Sequence, residues 1–192
     1  RPAGEGTAFR LVDNVIKPYA CGVLGHSSID LALRLREMVP PTGGFERCEL
    51  RVSPLAITAM GRLDPADGLE SKFSIVHAFT VAYLFGDADP GRFTDEVAVD
   101  PRVREVRGRV RLVPDESVGR FGSLATAEAG PDSLPPLFAA EAAPPTQEQA
   151  RAKAMRLLRG HPRGEEFVAA AFEADELDVL ARLHELSASS SR

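Results

Sequence analysis

No tryptophan occurs in these 192 residues, and aromatic side chains make up only 6% of them. Leu, Val and Ala must therefore carry the core, and an apolar share of 44% is enough to build one. Cysteine is nearly absent. Cys21 and Cys48 show no paired spacing and no histidine at zinc-ligand distance, which argues against a disulfide framework and against a zinc site. Positive charge is in deficit, with 23 Lys and Arg against 28 Asp and Glu. A net charge of -5 disfavours nucleic acid as the main partner, because phosphate neutralisation needs a clustered basic surface. Arg102, Arg104, Arg107, Arg109 and Arg111 do cluster, but they alternate with Val and Glu and read as the solvated face of a strand. No apolar run is long enough to span a bilayer, and Arg1 to Thr7 lacks the apolar core of a signal peptide. A cytoplasmic protein without a membrane partner is expected. The chain opens without Met on a Gly-containing lead-in, which suggests a truncated or processed N-terminus.

What is present divides into an α+β stretch and a helical tail. Phe9 to Tyr19 reads as an extended segment stopped by Pro18. After a Gly-rich turn over Cys21 to Gly25, Ser27 or Ser28 is expected to cap a helix with a broad apolar stripe that ends at Pro40-Pro41. Phe45 to Val52 alternates apolar and charged residues and predicts a half-buried strand, followed by a loop through Asp64, Pro65, Asp67 and Gly68. Glu70 to Phe85 is apolar nearly all round and predicts a buried helix. Thr94 to Val99 and Pro101 to Val106 predict short helical turns, and Val106 to Val113 a second strand. Two further strands are expected near Gly122 to Glu128 and Leu137 to Glu141. Beyond Pro144-Pro145 the composition shifts to Ala, Leu, Glu and Arg, with helices expected at roughly 147 to 158, 164 to 173 and 175 to 187. Isolated helices of this length are marginal in water, so the tail needs a partner surface. Ser187 to Ser191 reads as disordered.

Three stretches, in order, resemble the C-terminal part of MmgE/PrpD proteins, the family of 2-methylcitrate dehydratase and cis-aconitate decarboxylase. They are Lys17-Pro18-Tyr19-Ala20-Cys21 with His26 and Ile29-Asp30, then Glu70-Ser71-Lys72-Phe73-Ser74, then Phe93-Thr94-Asp95-Glu96 with Asp100-Pro101-Arg102-Val103. The fold that this resemblance implies is an α+β lid domain, here residues 8 to 142. It is followed by C-terminal helices, residues 145 to 187, that pack on an all-helical domain absent from this sequence, and by a disordered end at 188 to 192. Ala20 stands where the family usually has a proline, and Gly22 where some members have a second histidine. His77 replaces a tyrosine of the decarboxylase-like members, which weighs against cis-aconitate decarboxylation.

The implied chemistry is metal-independent and uses no cofactor. A proton next to a carboxylate is removed, with loss of water or carbon dioxide, from a small carboxylate substrate. Such work needs cations to hold carboxylates and a base operating near neutral pH. On that reading Lys17 and His77 are the catalytic candidates, and His26, Lys72, Ser74 and Tyr19 the substrate-binding ones. From spacing alone Lys17 is a solvated lysine, and His77 a satisfied core histidine. His26 divides evenly between substrate contact and loop organisation, and Ser74 between ligand and helix cap. The expected partner is an N-terminal helical domain, as a missing segment or a separate subunit, in a homodimer or heterotetramer. The competing readings are a non-catalytic interaction or regulatory module that keeps the lid fold, and an epimerase or isomerase of the same family.

Overall fold

A computed structural model describes residues 17–130, 132–140 and 146–173 of the chain. The extended segment expected from Phe9, the helix expected at 175 to 187 and the Ser-rich end lie wholly or mostly outside the described residues. The chain divides into two compact units, Tyr19–Ala143 and a second that joins Arg1–Pro18 to Pro144–Arg192.

The first unit is built on a mixed sheet. Strand β1 (Arg47–Val52) alternates as the sequence requires, with Cys48, Leu50 and Val52 fully buried. On one side it pairs in parallel with β2 (Val110–Pro114), Cys48 opposite Val110. On the other it pairs antiparallel with β3 (Ser123–Ala129), Leu50 opposite Ala125 and Val52 opposite Ser123. Two short strands, β4 (Asp132–Ser133) and β5 (Leu137–Ala139), complete the far edge against β3. A parallel pair needs a crossover. Residues 53–109 supply it, carrying helices α2 (Pro54–Met60), α3 (Gly68–Ser71), α4 (Ile75–Phe85), α5 (Asp95–Val99) and α6 (Pro101–Arg107). Ahead of the sheet runs α1 (His26–Met38).

Helices α1 and α4 pack together in the core that the sheet's apolar face completes. Phe45 anchors that core, edge-on to Tyr83 at 4.9 Å and to Phe79 at 6.3 Å between ring centroids. The Tyr83 hydroxyl donates to the carbonyl of Val39, so the ring's polar end is satisfied without reaching solvent. Helix α4 stops at Gly86, whose φ of 78° favours glycine. Arg36 of α1 donates to the otherwise orphaned carbonyls of Tyr83 and Leu84, at 2.7 and 2.8 Å. No described helix is long and apolar enough to cross a membrane.

Several expectations need correction. The helix expected over Glu70 to Phe85 is two helices. Asp67 caps α3 by accepting from the Glu70 amide, and Ser74 caps α4 by accepting from the His77 amide, so two cap residues seven apart divide the run. Helix α1 is capped at Gly25 with no side-chain bond, and Ser27 and Ser28 lie inside its first turn. Helix α2 was not foreseen, although Ser53-Pro54 carries its signal: Ser53 caps and Pro54 occupies the first helical position. The second strand begins at Val110, not Val106. Arg102, Arg104 and Arg107 consequently belong to α6, which Asp100 caps through the Arg102 amide. Of the basic run only Arg111 lies on the solvated face of a strand, and Arg107 is buried. The short helical turns α5 and α6 and the pairing partner β3 lie where the sequence places them.

In the second unit, α7 (Gln147–Leu157) and α8 (Gly164–Glu173) match the expected tail helices. Thr146 accepts from the Gln149 amide, and the Gln149 side chain accepts from the Thr146 amide, a reciprocal capping box. Removing it with Thr146→Ala should cost α7 about 1 kcal/mol. Amide exchange within α7 should then accelerate roughly fivefold. Unchanged exchange would show that packing, not the cap, holds this helix.

Candidate functional site

The segment from Tyr19 to His26 is held to the rest of its unit by backbone bonds at two points. The Ala20 amide donates to the Ala88 carbonyl at 3.3 Å, and the Gly22 amide to the Lys72 carbonyl at 3.1 Å. A Cβ at position 22 would come within 2.5 Å of the Met60 sulfur, so any larger residue there would require the Met60 side chain to shift. A single turn over Val23–Gly25 then leads into α1. This brings His26, only 3% exposed, edge-on to the Tyr19 ring at 5.3 Å. The Tyr19 hydroxyl donates to Asp30, one turn into α1. Burial raises the Asp30 carboxyl above its usual range, and the Tyr19 bond and nearby Arg34 oppose that rise. Asp30 ended the first sequence motif but had been given no role; its spacing one turn after His26 was the available signal.

The second motif stretch meets this loop through Lys72. Its side chain is half-buried, while neighbouring Phe73 and Leu69 are exposed by 50% and 68%. Ser74 turns inward: fully buried, its hydroxyl donates to the Arg62 carbonyl at 2.6 Å and accepts the His77 amide. Of its two readings, the geometry supplies the cap.

His77 also faces inward and is fully buried. Nε2 lies 2.9 Å from the Arg92 carbonyl, which can only accept, so the ring donates from Nε2 and Nδ1 is left as an acceptor. Arg107 approaches Nδ1 at 3.4 Å and also donates to the Ala98 carbonyl and, beyond it, to Asp64. Burial pushes the His77 pKa down to about 4, against the bond to Arg92, and the positive charge of Arg107 adds to the fall. Near neutral pH this imidazole is uncharged and has both nitrogens engaged. Arg107 is the residue that sequence reasoning misplaced, since its spacing suggested a wet strand.

The expected set thus separates. Tyr19, His26 and Lys72 share one corner of the sheet unit, with exposed Val23, Leu69 and Phe73 flanking it. Ser74 caps α4 next to Phe73, and His77 points away toward Arg92 and Arg107. Lys17 belongs to the other unit, where its carbonyl accepts from Lys153 of α7. Two grooves open elsewhere on the sheet unit: one of about 790 Å³ between α2 and β2, and one of about 740 Å³ on the outer sheet face around Glu49, Arg111 and Thr126. Neither is lined by the corner residues. Among the described residues no group of three or more His, Cys, Asp or Glu is placed to hold a metal.

A mixed five-stranded sheet covered by two core helices, with two distant motif segments tied together at one corner, defines an α+β domain that continues into a helical segment. Residues 19–127 match the MmgE/PrpD C-terminal domain, and the chain belongs to the MmgE/PrpD family, a broadly lyase-like, dehydratase-containing enzyme family. The match runs from Tyr19 into β3 and includes His26, Lys72, Ser74 and His77, but not Lys17. No individual curated protein matches the chain.

Proposed function

We propose that the Tyr19–Ala143 unit forms the lid side of the active site of a lyase acting on a small carboxylate substrate. The carrying observation is the bond from the Gly22 amide to the Lys72 carbonyl, which holds two motif segments, far apart in sequence, at one corner. In the reaction a base takes the proton beside a carboxylate and a double bond forms as hydroxide leaves as water. In the decarboxylating variant a carbon–carbon bond breaks, and the electrons left behind are quenched by a proton.

The corner's contribution is binding and orientation. Lys72 supplies charge for the substrate carboxylates. Tyr19 and His26 supply a phenol and an imidazole whose placement is fixed by Asp30 and the α1 start. Ser74 and His77 act through α4, whose first turn they cap and anchor. The base belongs to an N-terminal helical half, provided by another segment or a second subunit, in a homodimeric or heterotetrameric assembly. Val23, Leu69 and Phe73 are the apolar surface that such a half would cover.

With the helical half present, Lys72→Ala should weaken a tricarboxylate such as citrate about tenfold, or ~1.4 kcal/mol, by removing a charge-assisted contact. Isothermal titration of the assembled enzyme measures this. Wild-type affinity in this variant would favour the reading as a non-catalytic interaction module. Solvent exchange of the proton beside the carboxylate, with neither water nor carbon dioxide lost, would favour an epimerase or isomerase.

A further inference from the structure

Three serine hydroxyls meet inside the sheet unit and lie within 3% of complete burial. Ser123, at the first position of β3, stands 2.8 Å from the Ser27 hydroxyl and 2.9 Å from that of Ser28. Ser27 and Ser28 are the second and third residues of α1, directly after His26. Helix α1 has no side-chain cap at Gly25, so its first turn lacks the usual fixing device. A hydroxyl offers one donor and two acceptor positions, so the Ser123 oxygen can serve both neighbours at once. Ser123 is itself fixed by pairing on both sides, opposite Val52 of β1 and Ala139 of β5.

We propose that Ser123 is a positioning residue for His26: its hydroxyl ties the first turn of α1 to the sheet and so sets the imidazole against Tyr19. Apolar contact alone would hold a helix on a sheet but would leave its rotation and sliding loosely defined. Two bonds from adjacent residues, whose side chains leave the helix about 100° apart, constrain both motions. The Tyr19–His26 ring contact lies immediately upstream on the same turn. The functional consequence rests on the lid reading of this corner; the positioning itself does not.

The test uses the full chain and solution NMR. In Ser123→Ala the nuclear Overhauser contacts between the Tyr19 and His26 rings should be lost and the His26 imidazole nitrogen shifts should move, while those of His77 and His161 stay in place. Ser123→Thr, which keeps the hydroxyl, should restore the ring contacts. Should Ser123→Ala fail to fold, Ser27→Ala and Ser28→Ala each remove one bond of the pair and should show the same loss in part. A lowered melting temperature with unchanged His26 shifts and ring contacts overturns the proposal and leaves the trio as simple core packing. Citrate titration of the assembled enzyme separates the two readings: if citrate leaves the Tyr19, His26 and Lys72 signals untouched while Ser123→Ala still moves His26, the lid reading falls and the positioning stands.

Discussion

Between pH 6.5 and about 4, His77 alone should remove roughly 3 kcal/mol of stability from the sheet unit. Its folded pKa is depressed to about 4 against 6.5 for the free group, so over this window the unfolded chain binds the proton and the folded chain does not. Stability is full above pH 6.5, falls as the pH drops, and is lost in full once the folded group also protonates. The origin is geometric. Nε2 already donates to the Arg92 carbonyl, so a new proton must go to Nδ1, which faces the Arg107 guanidinium. Adding a donor there removes an acceptor and opposes two positive charges in a buried space. His77→Gln retains a donor and an acceptor but cannot titrate. Urea denaturation of both proteins at half-unit steps from pH 7 to 4 gives the comparison. The wild-type curve should fall below the variant's by an amount that grows toward acid, whereas parallel curves would mean that His77 does not carry the acid sensitivity.

Much of this fold was readable because its strands obey simple alternation. Cys48, Leu50 and Val52 bury one face of β1 while Glu49 and Arg51 remain on the other, which is what FERCELRV shows in one dimension. The tail helices were readable from the shift in composition after Pro144-Pro145. Helix boundaries were less so. Asp67 and Ser74 each look like loop or helix residues until the amide they accept from is known. Arg107 shows a deeper limit. An arginine spaced with Arg109 and Arg111 reads as solvated, and only the turn at Gly108 places it on a different element, facing inward. The motif resemblance located the corner but not the direction of each side chain. Tyr19, His26 and Lys72 gather there, whereas His77, on the same helix that Ser74 begins, points to Arg92 and Arg107. Side-chain direction depends on the start point of a helix, and moving the start of α4 from Glu70 to Ile75 changes the phase of every later residue by about 140°.

Arg107→Ala should destabilise the sheet unit by about 3 to 5 kcal/mol, a large effect for a residue in a basic run. Its side chain is 4% exposed and joins three segments: His77 on α4, the Ala98 carbonyl at the end of α5, and Asp64 in the loop before α3. Truncation leaves Nδ1 of His77 and the Ala98 carbonyl as buried acceptors without this donor, each costing about 1 to 3 kcal/mol, and deletes the packed stem as well. Asp64 bears a smaller share of the loss. At 72% side-chain exposure its carboxylate returns to water at little cost, so Asp64→Asn should be milder. Burial lowers the Arg107 pKa while Asp64 opposes the fall, so the guanidinium stays charged and needs this partner on its outer side. The interaction with His77 can be isolated by a double-mutant cycle with His77→Gln. Coupling of 0.5 to 3 kcal/mol is expected for groups in one network. Chemical denaturation of the four proteins measures both quantities. A cost below about 1 kcal/mol for Arg107→Ala, or additive behaviour in the cycle, would show that water takes the place of the guanidinium and that the three segments are held by packing alone.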